Sequence, residues 1–282
     1  MHMKITVNYK KWEKAMYRKE DHTFVICAYK ESPYLSECIE SIKGQYVLGN
    51  VILTTSTPNQ YIYSLGEKYG VPVYVNRGET GIAGDWNFAY EKCNTSLVTL
   101  AHQDDIYSKD YLKKSLDSLN KSKKPLMAFT DYGELRNGIQ VNSNALLKIK
   151  RIMLFPLKFK RLWKNVFIRR RILSFGSPIC CPSVILVKEN LRGPIFCSGM
   201  KSNIDWEAWE KISRFEGSFV YCDAMLMYHR IHNDSTTTEI VRKGQRREED
   251  LEMFYKFWPK CFAQMWEMIY RQSERSNQIE KK

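Results

Sequence analysis

Short apolar runs that alternate with helical patterns constrain the fold of this chain more than any other feature. The runs lie at residues 23–28, 50–56, 71–75 and 96–102. A helix is expected after Ser32 and Pro33, typical residues of a helix start, with a buried face formed by Leu35, Cys38, Ile39 and Ile42. This order of elements predicts an α/β fold with a doubly wound, mostly parallel sheet flanked by helices.

Three further helices are expected between and after these strands. They are predicted at residues 59–68, after the glycine-containing turn GETGIAGDWN (78–87), and at residues 109–122 with Ser108 as the cap. In doubly wound sheets, ligands bind beyond the carboxyl ends of the strands. The residues that directly follow each strand are therefore the first candidates for a binding site.

Composition excludes several classes of protein. The chain has 282 residues, of which 44% are hydrophobic and 13% aromatic, too many for a disordered protein. Its eight cysteines include no CxxC pair, and no signal peptide precedes the first strand. This pattern is typical of a reduced, cytoplasmic protein rather than a disulfide scaffold or zinc site. No apolar run approaches the roughly 20 residues of a membrane-spanning helix.

The charge of the chain indicates an anionic partner. Lysine and arginine exceed acidic residues to give a net charge of +13. Such an excess favours association with nucleic acid, a phosphate-rich substrate or an acidic membrane surface.

Two adjacent carboxylates, Asp104 and Asp105, follow the fourth apolar run. Burying like charges side by side is costly unless a positive group arrives. One interpretation is that Asp105 caps the next helix, although Ser108 is already available for that task. The other is that the pair binds a hard divalent cation, which in turn binds a diphosphate.

A basic amphipathic segment occupies residues 145–175. Between residues 146 and 173 it contains ten lysines or arginines and no acid. It is interpreted as a solvated helix over the active site, an oligomer contact, or a surface for anionic membranes or polyanions. For the membrane, we expect the inserted side chains to be Phe155, Leu157, Phe159, Leu162, Trp163 and Phe167. Farther on, residues 254–269 have apolar residues at helical spacing, which indicates a core or docking face.

Several segments, in order, resemble the family 2 glycosyltransferases, which have the GT-A nucleotide-sugar fold. The resemblance covers about residues 23–238. It rests on FVICAYKESPYLSECIESIKGQ (24–45), HQDD (102–105), CPSVILVKENL (181–191) with FCSGMKSNIDWEAW (196–209), and YHRIHNDSTTT (228–238).

The resemblance implies roles for individual residues. It implies Mn²⁺ or Mg²⁺ bound by Asp104 with Asp105 beside it, and His232 facing the metal or the diphosphate. It also implies that Asp205 is the catalytic base of an inverting displacement. By spacing alone, Ser202-x-x-Asp205 is equally a capping box at a helix start. The nucleotide-sugar site implied by the family comprises Ala28, Tyr29, Glu31, Thr55, Asp85, Asn87, Asp105 and Arg230.

The sequence departs from the family pattern at two places. The second strand ends in hydroxyl residues, at positions 54–57, where the family has acids, and His102 replaces the first acid of the DxD motif. Because of the first departure, the sequence does not indicate which nucleobase the donor carries. It is also the main support for the alternative, a non-catalytic basic protein that binds membrane or RNA on a degenerate transferase scaffold.

We therefore expect an inverting, metal-dependent transferase that builds surface polysaccharide from a nucleotide-sugar donor. The implied acceptor is a glycan or a lipid-linked saccharide at the cytoplasmic face of the membrane. We expect an N-terminal leader over residues 1–22, the catalytic domain over 23–238, and a helical tail over 239–282. An anionic membrane surface is a candidate partner, nucleic acid is not expected, and the oligomeric state is open.

Overall fold

The structure is a computed structural model that describes residues 16–197, 199–232 and 246–278. Most of the expected leader and the beginning of the expected tail lie outside the described residues. Residues 16–21 precede the first strand, and the backbone of Tyr17 is hydrogen-bonded to the side chain of Asn120 at 2.9 and 3.0 Å. This part of the leader is therefore attached to the domain.

The described strands form one nine-stranded sheet. The strands are β1 (His22–Ala28), β2 (Asn50–Thr55), β3 (Val73–Val75), β4 (Leu97–His102), β5 (Ile106–Tyr107), β6 (Pro125–Arg136), β7 (Ile139–Val141), β8 (Val184–Val187) and β9 (Ser218–Ile231). They lie in the order β3-β2-β1-β4-β8-β6-β9-β5, with β7 paired to β6. The four predicted strands correspond to β1, β2, β3 and β4.

Parallel pairing dominates this sheet, as predicted. Strands β3, β2, β1 and β4 are mutually parallel, and the longest ladder, between β6 and β9, is parallel too. Strand β8 runs antiparallel between β4 and β6 and joins the two halves. The carboxyl ends of β1, β2 and β4 consequently meet at one edge, where Cys27 is in register with His102 and Ala28 with Thr55.

Helices cover the sheet. They are α1 (Leu35–Lys43), α2 (Gln60–Tyr69), α3 (Ile82–Lys92), α4 (Tyr111–Leu119), α5 (Ala145–Leu154), α6 (Val166–Leu173), α7 (Ile204–Ser213), α8 (Arg246–Tyr255) and α9 (Lys260–Gln278). The predicted apolar face of α1 is fully buried. The predicted helix starts are less accurate: α1 begins at Leu35, because Ser32 forms a turn in which its hydroxyl accepts from the Tyr34 N–H at 3.3 Å. Similarly, α4 begins at Tyr111 rather than at residue 109.

The C-terminal helices pack against the domain rather than trailing from it. The ring of Phe254 lies 5.2 Å from that of Trp206 in α7, and Tyr270 contacts both rings. Close contact of Tyr270 with the backbone at Gly176, where φ is 135°, leaves no room for a side chain there. None of the helices among the described residues combines the length and the apolar composition required to cross a bilayer.

The basic segment contributes to the core as well as to the surface. Leu157 and Trp163 are buried, and the Trp163 indole N–H donates to the Leu157 carbonyl at 2.7 Å. The expectation that these two side chains insert into a membrane is therefore wrong, because both are already covered by the protein. Phe155, Phe159 and Phe167 are exposed, as that expectation requires.

We predict that Trp163→Ala lowers the free energy of unfolding by about 3–5 kcal/mol, since it leaves a cavity and an unpaired carbonyl. The exposed Phe167→Ala is the matched control, with an expected change within about 0.5 kcal/mol. Urea denaturation of both variants measures the difference. Equal stability of the two variants would contradict the assignment of Trp163 to the core.

Candidate active site

Asp105 is the most deeply buried acid at the end of β4. Its side chain is inaccessible to solvent, and its Oδ1 accepts hydrogen bonds from His229 Nδ1 and from the Arg230 backbone N–H, both at 2.9 Å. These bonds tie the turn after β4 to the end of β9. Asp105 is therefore not the cap of helix α4, and that interpretation of the carboxylate pair is excluded.

The charges of this cluster stabilise one another. Burial alone would lower the pKa of His229, but the carboxylates of Asp105 and Asp104 raise it to about 9. His229 is thus positively charged at neutral pH. Burial alone would raise the pKa of Asp104, but a hydrogen bond from His232 and the charges of the nearby histidines lower it. Asp104 is therefore ionised, as a metal-binding carboxylate must be.

Arg230 and His232 hold Asp104 from two sides. Arg230 Nε donates to the Asp104 backbone carbonyl at 2.8 Å, while its guanidinium pairs with Glu37 and lies 4.3 Å from the centre of the Tyr34 ring. His232 Nε2 lies 2.9 Å from Asp104 Oδ2. The guanidinium of Arg230, predicted to contact the nucleotide, is largely buried and fixes the turn.

A third residue, His102, completes a cluster suited to a metal ion. Within the described residues, one group of potential ligands for a cation is found: His102, Asp104 and Asp105, whose ligand atoms lie within 4.8 Å of one another. His102 Nδ1 and Asp105 Oδ2 are 3.9 Å apart, too far for a hydrogen bond but compatible with two ligands of one ion. His102 Nε2 and Asp105 Oδ2 are buried without a hydrogen-bond partner. These unpaired atoms and the donor set fit a divalent cation.

His102 was not among the predicted metal ligands. The signal was its place at the first position of the DxD motif, because imidazole is itself a common metal ligand. The protein also fixes the orientation of the ring: His102 stacks on Trp86 with the ring centres 5.2 Å apart, and Trp86 contacts Phe196.

Asp85 and Asn87, on α3, bond to protein groups near this edge. Asp85 accepts from the Ser56 hydroxyl and from the Asn76 amide, both at 2.8 Å. Asn87 forms two hydrogen bonds with the backbone of Phe196, at 2.7 and 3.1 Å. Both side chains therefore shape the walls of the site by joining α3 to neighbouring loops.

The other predicted nucleotide contacts lie at the ends of β1 and β2. Ala28 and Thr55 are buried, and the Thr55 hydroxyl accepts from the Thr57 N–H at 3.0 Å. The backbone of Tyr29 forms a pair of hydrogen bonds with the Gln103 side chain, at 2.9 and 3.1 Å. The ring of Tyr29 and the carboxylate of Glu31 are exposed beside this junction.

Asp205 lies in the first turn of α7, where its Oδ1 accepts from the Trp206 N–H at 2.7 Å. The predicted capping box with Ser202 is absent. Instead, Glu249 of α8 accepts from the backbone N–H groups of Lys201, Ser202 and Asn203 at 2.8–3.1 Å, and from the Ser202 hydroxyl. Asp205 is therefore not needed as the cap of α7, the role that its spacing suggested.

The environment of Asp205 raises the pKa of its carboxyl, which suits a group that accepts a proton. Burial raises the pKa of its carboxyl above the usual range, while the Trp206 N–H and the charges of Lys150, Arg246 and His102 act in the opposite direction. A partly accessible carboxyl with a raised pKa is a stronger base than one in water.

The family can now be assigned from the whole sequence. The sequence profile described as Glycosyl transferase family 2 matches residues 23–191, which span β1 to the end of β8. The chain belongs to this family. It is therefore a glycosyltransferase that uses a nucleotide sugar, as predicted. No curated protein sequence matches it.

Two solved structures share its GT-A fold. Residues 1–349 of S. aureus TarS, in complex with UDP-GlcNAc, align with a TM-score of 0.59 and 15% identity over 87% of this chain and 70% of that one. Mannosyltransferase PcManGT from Pyrobaculum calidifontis, in complex with GDP-Man and Mn²⁺, aligns with a TM-score of 0.62 and 14% identity. That alignment covers 92% of this chain and 73% of the mannosyltransferase.

Proposed function

We propose that this chain is an inverting, metal-dependent glycosyltransferase that moves a sugar from a nucleoside diphosphate to an acceptor hydroxyl. The observation that supports it most is the cluster of His102, Asp104 and Asp105, with unpaired buried ligand atoms, at the edge where β1, β2 and β4 end. Asp205, the candidate base, is partly accessible in the first turn of α7.

The metal proposed for this cluster is Mn²⁺ or Mg²⁺. When bound there, it would offset the negative charge that develops on the departing diphosphate. Mg²⁺ prefers ligand sets of oxygen atoms, so the imidazole of His102 favours Mn²⁺. The complex of PcManGT, which contains GDP-Man and Mn²⁺, supports the same choice. In this chain, Arg230 and His232 would keep Asp104 in place.

The nucleoside of the donor is proposed to lie along the ends of β1 and β2. Ala28 and Thr55 offer a closely packed floor, while Tyr29 and Glu31 are accessible at its margin. No carboxylate follows β2 at residues 54–57 to pair with a base edge. We therefore expect backbone groups and hydroxyls to contact the base or the ribose. UDP-GlcNAc and GDP-Man, the donors in the two similar structures, are the first to test.

The chemical step is proposed to be a single displacement. Asp205 would remove the proton from the acceptor hydroxyl as that oxygen attacks the anomeric carbon from the side opposite the diphosphate. Attack from the opposite side inverts the configuration. The raised pKa of Asp205 suits this role, because a base is most effective when its pKa lies near the working pH.

The acceptor is proposed to be a glycan or a lipid-linked saccharide in surface polysaccharide assembly, at the cytoplasmic face of the membrane. Support comes from the basic segment, which between residues 146 and 173 has ten lysines or arginines, no acid and the exposed side chains of Phe155, Phe159 and Phe167. The alternative of a non-catalytic binding protein is not favoured, since it gives no reason for the unpaired ligand atoms of His102 and Asp105.

We predict that binding of UDP or GDP strengthens at least tenfold when Mn²⁺ is present, and that Asp104→Asn removes this gain. The variant should remain folded, because asparagine can still bond to His232 and keeps the backbone carbonyl that Arg230 contacts. Calorimetry with and without the metal measures the effect. Asp117→Asn, which removes an exposed acid of α4, is the matched control. Equal affinity with and without Mn²⁺ would contradict the metal assignment.

We predict that Asp205→Asn lowers kcat by about a hundredfold or more, the usual loss on removing a positioned base. Asparagine can still accept from the Trp206 N–H, so helix α7 and the donor affinity should be unchanged. Glu216→Gln, a highly exposed acid three residues after the end of the same helix, controls for the loss of a charge. Rates of sugar transfer, together with donor binding, distinguish the two variants. Normal transfer by Asp205→Asn would return this residue to a structural role.

A further inference from the structure

A surface of exposed apolar side chains surrounded by basic residues lies over α5, α6 and the turns between them. Phe167 is 64% exposed and Ile152 is 72% exposed. The exposed apolar members of this surface, which we call the basic apolar surface, are Ile149, Ile152, Phe155, Phe159, Val166 and Phe167. The sequence between residues 146 and 173 contains no acid. Every charged residue among these apolar side chains in the segment is therefore positive.

Half of the basic residues in this segment form ion pairs or hydrogen bonds within the protein. Arg151, Lys158 and Arg170 pair with the carboxylates of Asp131, Asp223 and Glu210. Lys150 bonds to Tyr132, and Arg169 is buried against backbone carbonyls. Within the described part of the chain, no carboxylate pairs with the remainder, which are Lys148, Lys160, Arg161, Lys164 and Arg171. These five are available to an external anion.

Helix α9 extends this surface with a second apolar face. Its exposed side presents Phe262, Met265, Met268 and Ile269, whereas Glu267, one of the two acids of this helix, is buried. The guanidinium of Arg171 connects the two parts, because it lies 5.3 Å from the ring of Phe167 and 4.7 Å from that of Trp258, two residues before α9. Apolar groups and basic groups thus continue from α6 towards α9.

We propose that the basic apolar surface and the outer face of α9 bind the chain to an anionic lipid bilayer. A bilayer offers negative headgroups above an apolar layer, which matches lysine and arginine interleaved with phenylalanine, isoleucine and methionine. A nucleic acid backbone would satisfy the charges but would leave the aliphatic side chains in water. Exposed apolar groups surrounded by polar or charged residues mark sites of interaction with membranes or proteins.

The position of this surface relates it to the candidate active site. The inner side of α5 directs Lys150 and Arg151 to Tyr132 and Asp131 in β6, while Ile149 and Ile152 point outward. A bilayer on the outer side would hold lipid-linked molecules next to the sheet that carries the site. Binding itself does not rest on the proposed transfer reaction, so an inactive chain would still associate with vesicles.

The test is flotation of the full chain with vesicles of phosphatidylcholine alone or mixed with phosphatidylglycerol, over a range of salt concentrations. We expect binding to the mixed vesicles and little to the neutral ones. Salt should weaken binding but leave a residual fraction, because salt screens charge and not apolar insertion.

Two pairs of variants separate the contributions. The triple change Phe155→Ala, Phe159→Ala and Phe167→Ala should weaken binding about tenfold or more and remove the salt-resistant fraction. Its control is the pair Tyr46→Ala and Tyr63→Ala, exposed aromatic residues outside this surface. Changing Lys160, Arg161 and Lys164 to glutamine should weaken binding about a hundredfold. Its control removes the same charge at exposed Lys113, Lys121 and Lys123, with a much smaller loss expected.

Three results would overturn the proposal. The first is an equal loss of vesicle binding in the variants of the basic apolar surface and in their controls. The second is binding that salt abolishes completely and that RNA displaces at equal charge concentration, which would indicate a polyanion site. The third is self-association that Phe262→Ala and Met265→Ala abolish without any change in vesicle binding, which would assign the outer face of α9 to a second copy of the chain.

Discussion

The buried carboxylate of Asp105 is the constraint on which the candidate site depends. A carboxyl group without access to water is costly to bury, and here two hydrogen bonds, from protonated His229 and from the Arg230 N–H, offset that cost. Because these donors belong to β9, the turn after β4 is fixed to a strand far away in the sequence. The same two bonds leave Asp105 Oδ2 unpaired beside His102, so the contact that stabilises the turn also prepares a ligand for a cation.

A similar contact positions the candidate base. Glu249 accepts three backbone N–H groups at the start of α7, and hydrogen bonds from these donors and the Ser202 hydroxyl lower its pKa although burial alone would raise it. An anion at a helix N-terminus is favourable, and here it comes from α8 instead of from the helix itself. The C-terminal helices are consequently part of the architecture of the site: they hold the segment that carries Asp205 while leaving its carboxylate available.

Local periodic patterns were sufficient to predict the strands β1 to β4 and the buried face of α1. The parallel pairing followed from the alternation of these strands with helices, because parallel strands need a crossover connection. The capping box that spacing allows at Ser202 and Asp205 is absent, because Glu249, which accepts the backbone N–H groups there, is distant in sequence. Burial of Trp163 was missed for a related reason: a basic amphipathic pattern shows that two faces differ but not which aromatic residues the fold covers. His102 stands where the DxD motif has an acid, so the sequence alone indicates a lost ligand, whereas the structure places its ring with the two carboxylates.

The central claim is that His102, Asp104 and Asp105 bind a divalent cation together with the diphosphate of the donor. Anomalous diffraction near the manganese absorption edge, from crystals grown with Mn²⁺ and UDP or GDP, tests it directly. We expect one strong anomalous peak, marking a manganese ion within bonding distance of a ring nitrogen of His102 and of carboxylate oxygens of Asp104 and Asp105. Diphosphate oxygens should complete its coordination. A diphosphate bound at this edge with no anomalous peak beside these three residues would contradict the claim.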